Sequence, residues 1–253
     1  MNRTEDLLNK INTAPRLDFG TIFNDALELF KKTWLFGFLY YVVVIIISIP
    51  ISMITNPSYF NMIRHIDNFE MWNDPFTFNS MIFGPYVVMS FLGSFVTASI
   101  STLLLAGFLR IVKHIDQGLE PEAIDLFFFF KSDYIFKAMA LAVVLMIIAV
   151  AAIFLCFFPI IYVSIGMTFC AVIFAFNPDL RLGEIIKAAF TLGHKKWWLT
   201  FGLVIVAGLL SAIIGLLMCG VGIFLTASFT VLPTYLVYKS VIGFDDSKYS
   251  SIH

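Results

Sequence analysis

The chain has 253 residues, of which 60% are hydrophobic and only 13% charged, with 29 phenylalanines and a formal net charge of −1. A water-soluble domain of this length could not cover so much apolar surface with so few charges, so the composition excludes an ordinary soluble globule. The near-neutral balance and the lack of a basic segment leave no footprint for a nucleic-acid partner.

Residues 1–34 are polar and charged, which predicts that no cleavable signal peptide stands here. Within them Phe19, Ile22, Phe23, Ala26, Leu27 and Phe30 recur at helical intervals along one face. Such a helix is too polar on its other side to span. It is predicted to lie along the membrane surface with its apolar face toward lipid. In the stretch FKKTWLFGF that follows, Lys31, Lys32 and Trp34 are read as anchors where the chain turns into the bilayer.

Four stretches contain no Asp, Glu, Lys, Arg or His: Thr33 to Ile63, Pro75 to Leu109, Ala138 to Pro178 and Trp197 to Tyr238. A span takes about 20 apolar residues, so the first two hold one helix each. The last two, at 41 and 42 residues, are long enough for a pair. Pro159 marks the start of a new helix, where its missing N–H is not needed, and Cys219-Gly220-Val221-Gly222 supplies a reversal. The prediction is an all-α membrane protein, one integral domain over 1–253, with six transmembrane helices at about 35–55, 81–109, 138–157, 159–176, 197–218 and 221–238. With six spans, 15 of the 16 Lys and Arg fall on one side and only Arg64 opposite. That asymmetry predicts both termini in the cytoplasm; the membrane expected is a bacterial inner membrane.

The first amphipathic stretch recurs. LDFGTIFNDALELFKKTWLFGF at 17–38 aligns with LRLGEIIKAAFTLGHKKWWLTF at 180–201, matching Gly20 with Gly183, Ala26 with Ala189, Lys32 with Lys195 and Trp34 with Trp197. A weaker copy, LEPEAIDLFFFFKSDYIFKA, occupies 119–138. The corresponding interface anchors are Lys131 and Tyr134, then Lys195, Lys196, Trp197 and Trp198. Three units follow, about 17–109, 119–176 and 180–238, each an interfacial amphipathic helix plus a transmembrane hairpin entering from the same side.

The glycine near the start of the amphipathic helix, GHKKWW at 193–198 and the ending PTYLVYKSVIG at 233–243 together resemble a known group. It is the six-helix membrane domain of some glycerophosphoryl diester phosphodiesterases, with related bacterial integral membrane proteins. The resemblance implies the fold and a membrane-associated role. In that family the domain accompanies a separate catalytic domain, whereas here only 15 residues follow Tyr238, so no catalytic residue is carried over.

Residues that could carry chemistry are sparse. His65, His114, His194 and His253 are scattered and read as surface histidines, with a two-histidine contact between His114 and His194 as the sharper alternative. Cys156, Cys170 and Cys219 read as buried thiols; Cys156 and Cys219, both near outer turns, leave a disulfide open. No ionisable group lies within a span, which argues against proton-coupled transport. Ser90, Ser94, Thr97 and Ser101 on the second span are read as a helix-packing seam, with a polar path as the alternative. Pro50, Pro85 and Pro233 lie in or near span ends, where each removes a backbone donor and can kink its helix. In the outer loop Tyr59, Phe69 and Trp72 read as interfacial anchors. There is no phosphate loop or nucleophile elbow. No catalytic site, cofactor or metal is therefore expected. The function expected is that of a non-enzymatic accessory or scaffold subunit whose partners are the lipid bilayer and a membrane-protein complex. The alternative is a channel or facilitator for a small uncharged or lipid-like molecule.

Overall fold

In a computed structural model, which describes residues 3–55, 86–154, 158–218 and 220–244, every regular element is helical. Among the described residues, five helices are long and apolar enough to cross a membrane. Their outward faces carry large apolar side chains: Ile46 is 63% exposed, Phe154 85% and Leu216 81%. A soluble protein would bury such faces; lipid is the solvent that accepts them. The molecule is a multi-pass membrane protein by these criteria.

Helix α1 (Arg3–Thr13) has Glu5 and Asp6 in its first turn and Lys10 in its last, the arrangement that suits the helix dipole. Leu7 and Ile11, one turn apart, are buried. Helix α2 (Phe19–Thr55) starts at Asp18, whose carboxylate accepts hydrogen bonds from the Thr21 amide (2.8 Å) and hydroxyl (3.1 Å). Those bonds hold the Asp18 carboxyl below its ordinary range. Two expectations for this segment are corrected. The amphipathic stretch and the first span form one continuous helix of 37 residues, roughly 55 Å at 1.5 Å per residue. The apolar face of its first half, Ile22, Ala26 and Leu29, is covered by protein and not left for lipid.

Helix α3 (Tyr86–Asp116) covers the described part of the second span and continues beyond it. It ends where Gly118 adopts a left-handed φ of 76° and the Leu119 amide bonds back to the His114 carbonyl at 2.8 Å. The middle copy of the repeat is not an amphipathic α-helix. It holds a short 3-10 turn (Ala123–Phe127) before α4 (Ser132–Phe154). Helix α5 (Phe158–Phe176) matches the span predicted from Pro159.

Helix α6 (Leu182–Lys195) buries Ile185, Ala188, Ala189 and Leu192. Its first turn is closed by the Glu184 carboxylate, which accepts from the Arg181 amide at 2.9 Å; that bond lowers the Glu184 pKa. Its apolar face again meets protein: at Gly193 the backbone lies so close to Gly166 of α5 that any side chain would collide. Helix α7 (Trp197–Leu217) follows after a break at Lys196, where φ is −110° and ψ 20°. The matching position in α2 is Thr33, whose hydroxyl bonds to the Leu29 carbonyl at 3.0 Å within an unbroken helix.

The predicted sixth span is not one helix. Residues 221–241 form α8 (Val221–Thr226), a 3-10 turn (Ala227–Thr230) and α9 (Leu232–Val241). Pro233, in the first turn of α9, has no amide to continue the preceding turn. The interruption leaves carbonyls to satisfy. Ser211 of α7 donates to the Thr226 carbonyl at 2.9 Å, Thr226 donates to Ser211 at 3.2 Å, and Thr230 donates to Ala227 at 2.7 Å. This broken path still leads back to the end from which α7 departs, because Tyr238 of α9 receives a hydrogen bond from Asn177 at the end of α5. Cys156, Cys219, the 56–80 loop with its aromatic residues, Arg64, His65, Pro85 and His253 lie outside the described residues.

Candidate functional site

The charged ends of α3, α5 and α9 meet α1 and the 3-10 turn around a cavity of about 280 Å³. Its apolar wall is aromatic, formed by Phe128, Phe129, Tyr134, Phe176, Tyr238 and Phe244. The rings interlock: Phe176 stacks on Tyr238 with centroids 5.2 Å apart, and Phe129 meets Tyr134 at 5.3 Å. Four charged residues also line it, Asp6 and Lys10 from α1, Arg110 from α3 and Asp179 beyond α5.

Each polar group is placed by a neighbouring element. The Arg110 guanidinium lies 3.7 Å over the Phe128 ring, and its Nε is 3.8 Å from Asp125 of the 3-10 turn. The turn can approach because residue 107 is glycine; a Cβ there would strike the Leu126 carbonyl. The Asn177 amide donates to the Tyr238 hydroxyl at 2.6 Å. One turn beyond Arg110, buried Lys113 places its ammonium 4.7 Å from the Phe244 ring. Asp116 then accepts from the Tyr235 hydroxyl at 2.8 Å and from Lys239 at 2.6 Å, which binds α9 to α3.

Helix α1 is fixed across this end from α6. Lys195 donates to the Asn12 carbonyl, and Lys196 to the Pro15 carbonyl. Lys196 is 9% exposed, so it is not a headgroup anchor as expected but a buried strut. Burial pushes its pKa below the ordinary lysine range, and nearby Lys195 pushes the same way. On the adjoining segment, Lys137 donates to the Pro178 carbonyl and to that of Leu180 at 3.0 Å.

The other expected anchors are more dispersed. Lys31 and Lys32 are exposed and Trp34 is 44% exposed. Lys131 is exposed, with its ammonium 4.7 Å over the Phe128 ring. Tyr134 joins the cavity wall. Trp197 stacks between Tyr162 and Phe201 and donates to the Tyr162 carbonyl at 3.1 Å, whereas Trp198 is 82% exposed. His194 pairs with the Tyr162 hydroxyl, while His114 lies 3.8 Å from Asp125. Among the described residues no group of three or more His, Cys, Asp and Glu is placed to hold a metal.

A second concavity, about 540 Å³, lies between α2 and α3 toward the opposite end. Ser90, Ser94 and Thr97 line it, facing Ser48, Ser52 and Thr55; Ser101 does not. Packing is tight at one edge, where a side chain on Gly93 would collide with Thr55. Several hydroxyls turn back on their own helix: Thr55 donates to Ile51 and Ser52 to Ile49, both at 2.8 Å.

Arg110, Asn177 and Asp179 were not singled out in the sequence. Each stands at the edge of a charge-free stretch, which is a signal for a span boundary. Their convergence depends on how the helices pack and has no local signature. Compared with family models, with curated proteins and with solved structures, the chain matches none.

Proposed function

We propose that this is a non-enzymatic accessory protein of a bacterial inner membrane, which associates at its charged end with lipid or with a membrane-protein complex. The observation that carries this reading is the cavity just described. It combines an aromatic wall with fixed charges of both signs, where five helices long enough to span give way to polar segments. Sites for amphipathic molecules have this composition, mostly apolar with a few placed polar groups. In this reading the charged end is cytoplasmic, because the basic residues cluster there. The likeness to the six-helix membrane domain of glycerophosphoryl diester phosphodiesterases belongs to the same proposal. Purification in mild detergent followed by mass spectrometry of bound proteins and lipids tests it. A specific lipid or partner retained in stoichiometric amount is the expected result; a bare monomer with neither would overturn the reading.

The hydroxyl-lined groove between α2 and α3 favours a second reading, a facilitator for a small uncharged or lipid-like molecule. Liposome flux measured before and after Ser94→Leu and Thr97→Leu decides it. Flux unchanged by filling the groove removes this reading.

A further inference from the structure

We infer, resting on the lipid-association reading above, that the 3-10 turn at the charged end lies at head-group depth and presses Ile124, Phe127 and Phe130 against the acyl chains of the adjoining leaflet. The first argument is the division of side chains along this segment. A 3-10 backbone has three residues per turn, so positions 124, 127 and 130 share one side, and the spacing continues past the turn because the Phe130 amide bonds to the Phe127 carbonyl at 3.0 Å. Leu126 and Phe129, on another side, are buried, and Phe128 lies under the Arg110 guanidinium. Ile124 is 68% exposed, Phe127 40% and Phe130 37%, with the two rings 5.6 Å apart. The corresponding faces of the first and last copies of the repeat are closed by protein at Ile22, Ala26, Ile185 and Ala189, whereas the middle copy keeps this stripe open.

The second argument identifies what covers it. The stripe leads into the outward face of α4, where Phe136, Val143, Ile147 and Phe154 recur at helical intervals and are all exposed. Hydrocarbon about 30 Å thick accommodates about 20 residues of helix, so with Phe154 at the far boundary the near one falls close to Ile135. Residues 127–130 then stand within a turn or two of that boundary, in the zone where aromatic side chains are favoured. Exposed Glu120, Glu122 and Asp133 outnumber Lys131 at the rim, so apolar contact and not attraction to anionic lipid carries the association. The inward side chains of the same segment, Phe128 and Phe129, form part of the cavity wall.

The full chain is reconstituted in phosphatidylcholine vesicles, with an aliphatic diazirine amino acid incorporated at position 124 or 127 in turn. On illumination the diazirine loses dinitrogen, and the carbene left behind inserts into whatever it touches. Mass spectrometry then separates a phosphatidylcholine adduct from a water adduct and from a cross-link to protein. The same amino acid at position 147, exposed on α4, and at position 9, exposed on α1, provides the lipid and water standards. A phosphatidylcholine adduct as the main product at both 124 and 127, as at 147, is the expected result.

Water as the main product at either position, as at 9, would overturn the inference. So would a cross-link to protein, which would mean that another part of this chain or a second copy covers the stripe. If lipid is retained through purification while 124 and 127 give water adducts, this inference fails and lipid association stands. If both positions give lipid adducts but the purified chain retains neither lipid nor partner, the stripe meets the bulk bilayer and the reading of a specific retained ligand fails.

Discussion

Asp116 binds α9 to α3 through two donors of unequal worth. Its carboxylate is 18% exposed and accepts from buried Tyr235 and from Lys239, whose side chain is 43% exposed. Removing the buried donor strips a charge-assisted bond from a mostly desolvated carboxylate, so Tyr235→Phe should lower stability by about 1–2 kcal/mol. Lys239→Ala removes a screened surface pair and should cost under about 1 kcal/mol. Thermal unfolding in detergent measures both, and an equal loss would contradict the argument. Gly107 is a different kind of constraint. Gly107→Ala pushes the 3-10 turn away from α3 and with it the Phe128 ring beneath Arg110, at a cost of about 1–3 kcal/mol. The same unfolding measurement checks it. Neither residue announces this role in the sequence: Tyr235 and Asp116 stand 119 positions apart, and a glycine near the end of an apolar run looks like any small residue in a membrane helix.

The five helices of spanning length were legible because each rests on one property, the length of a run without charge. Pro159 and Pro233 also act as their chemistry requires, each at the start of a helix. The first and last amphipathic stretches were legible as helices but not in their surroundings, and the middle one holds only a 3-10 turn. Periodicity marks an apolar face and is silent on whether lipid or protein covers it, and at Ile22, Ala26, Ile185 and Ala189 protein covers it. The copies also diverge at one aligned position. Thr33 keeps its helix by bonding to Leu29, while Lys196 leaves the helical backbone and reaches the Pro15 carbonyl. The broken return through 221–241 depends on hydroxyls that bridge to α7. Ser211→Ala removes the donor to the Thr226 carbonyl and should lower stability by about 0.5–1.5 kcal/mol, within the span of interhelical bonds measured in membranes. Hydrogen exchange of residues 221–241, compared with that of α5, reports whether the loss is local to this segment.

Both ends of the described chain lie at one end of the molecule, since α1 and the Ile242–Phe244 segment line the same cavity. On the six-crossing proposal the return path completes the last crossing, although no single helix of spanning length carries it. Reporters fused to the two termini should accordingly give the same answer, cytoplasmic for both, by the distribution of Lys and Arg. Reporters on opposite faces would contradict that topology. The cavity itself belongs to this scale: five separate stretches of chain contribute to it, and its charge balance exists only once they are assembled.

The exchange of hydrogen bonds between Ser211 and Thr226 bears on how the protein is made. A helix that reaches hydrocarbon alone must satisfy its own backbone, and residues 221–241, with two interruptions, cannot do so unaided. The Thr226 carbonyl finds its donor on α7, the helix translated immediately before, and the Ala227 carbonyl finds donors on Thr230 and on Tyr41 of α2. On the six-crossing proposal, the last two segments are then expected to leave the insertion machinery together, with α7 held at the exit until its companion has been synthesised.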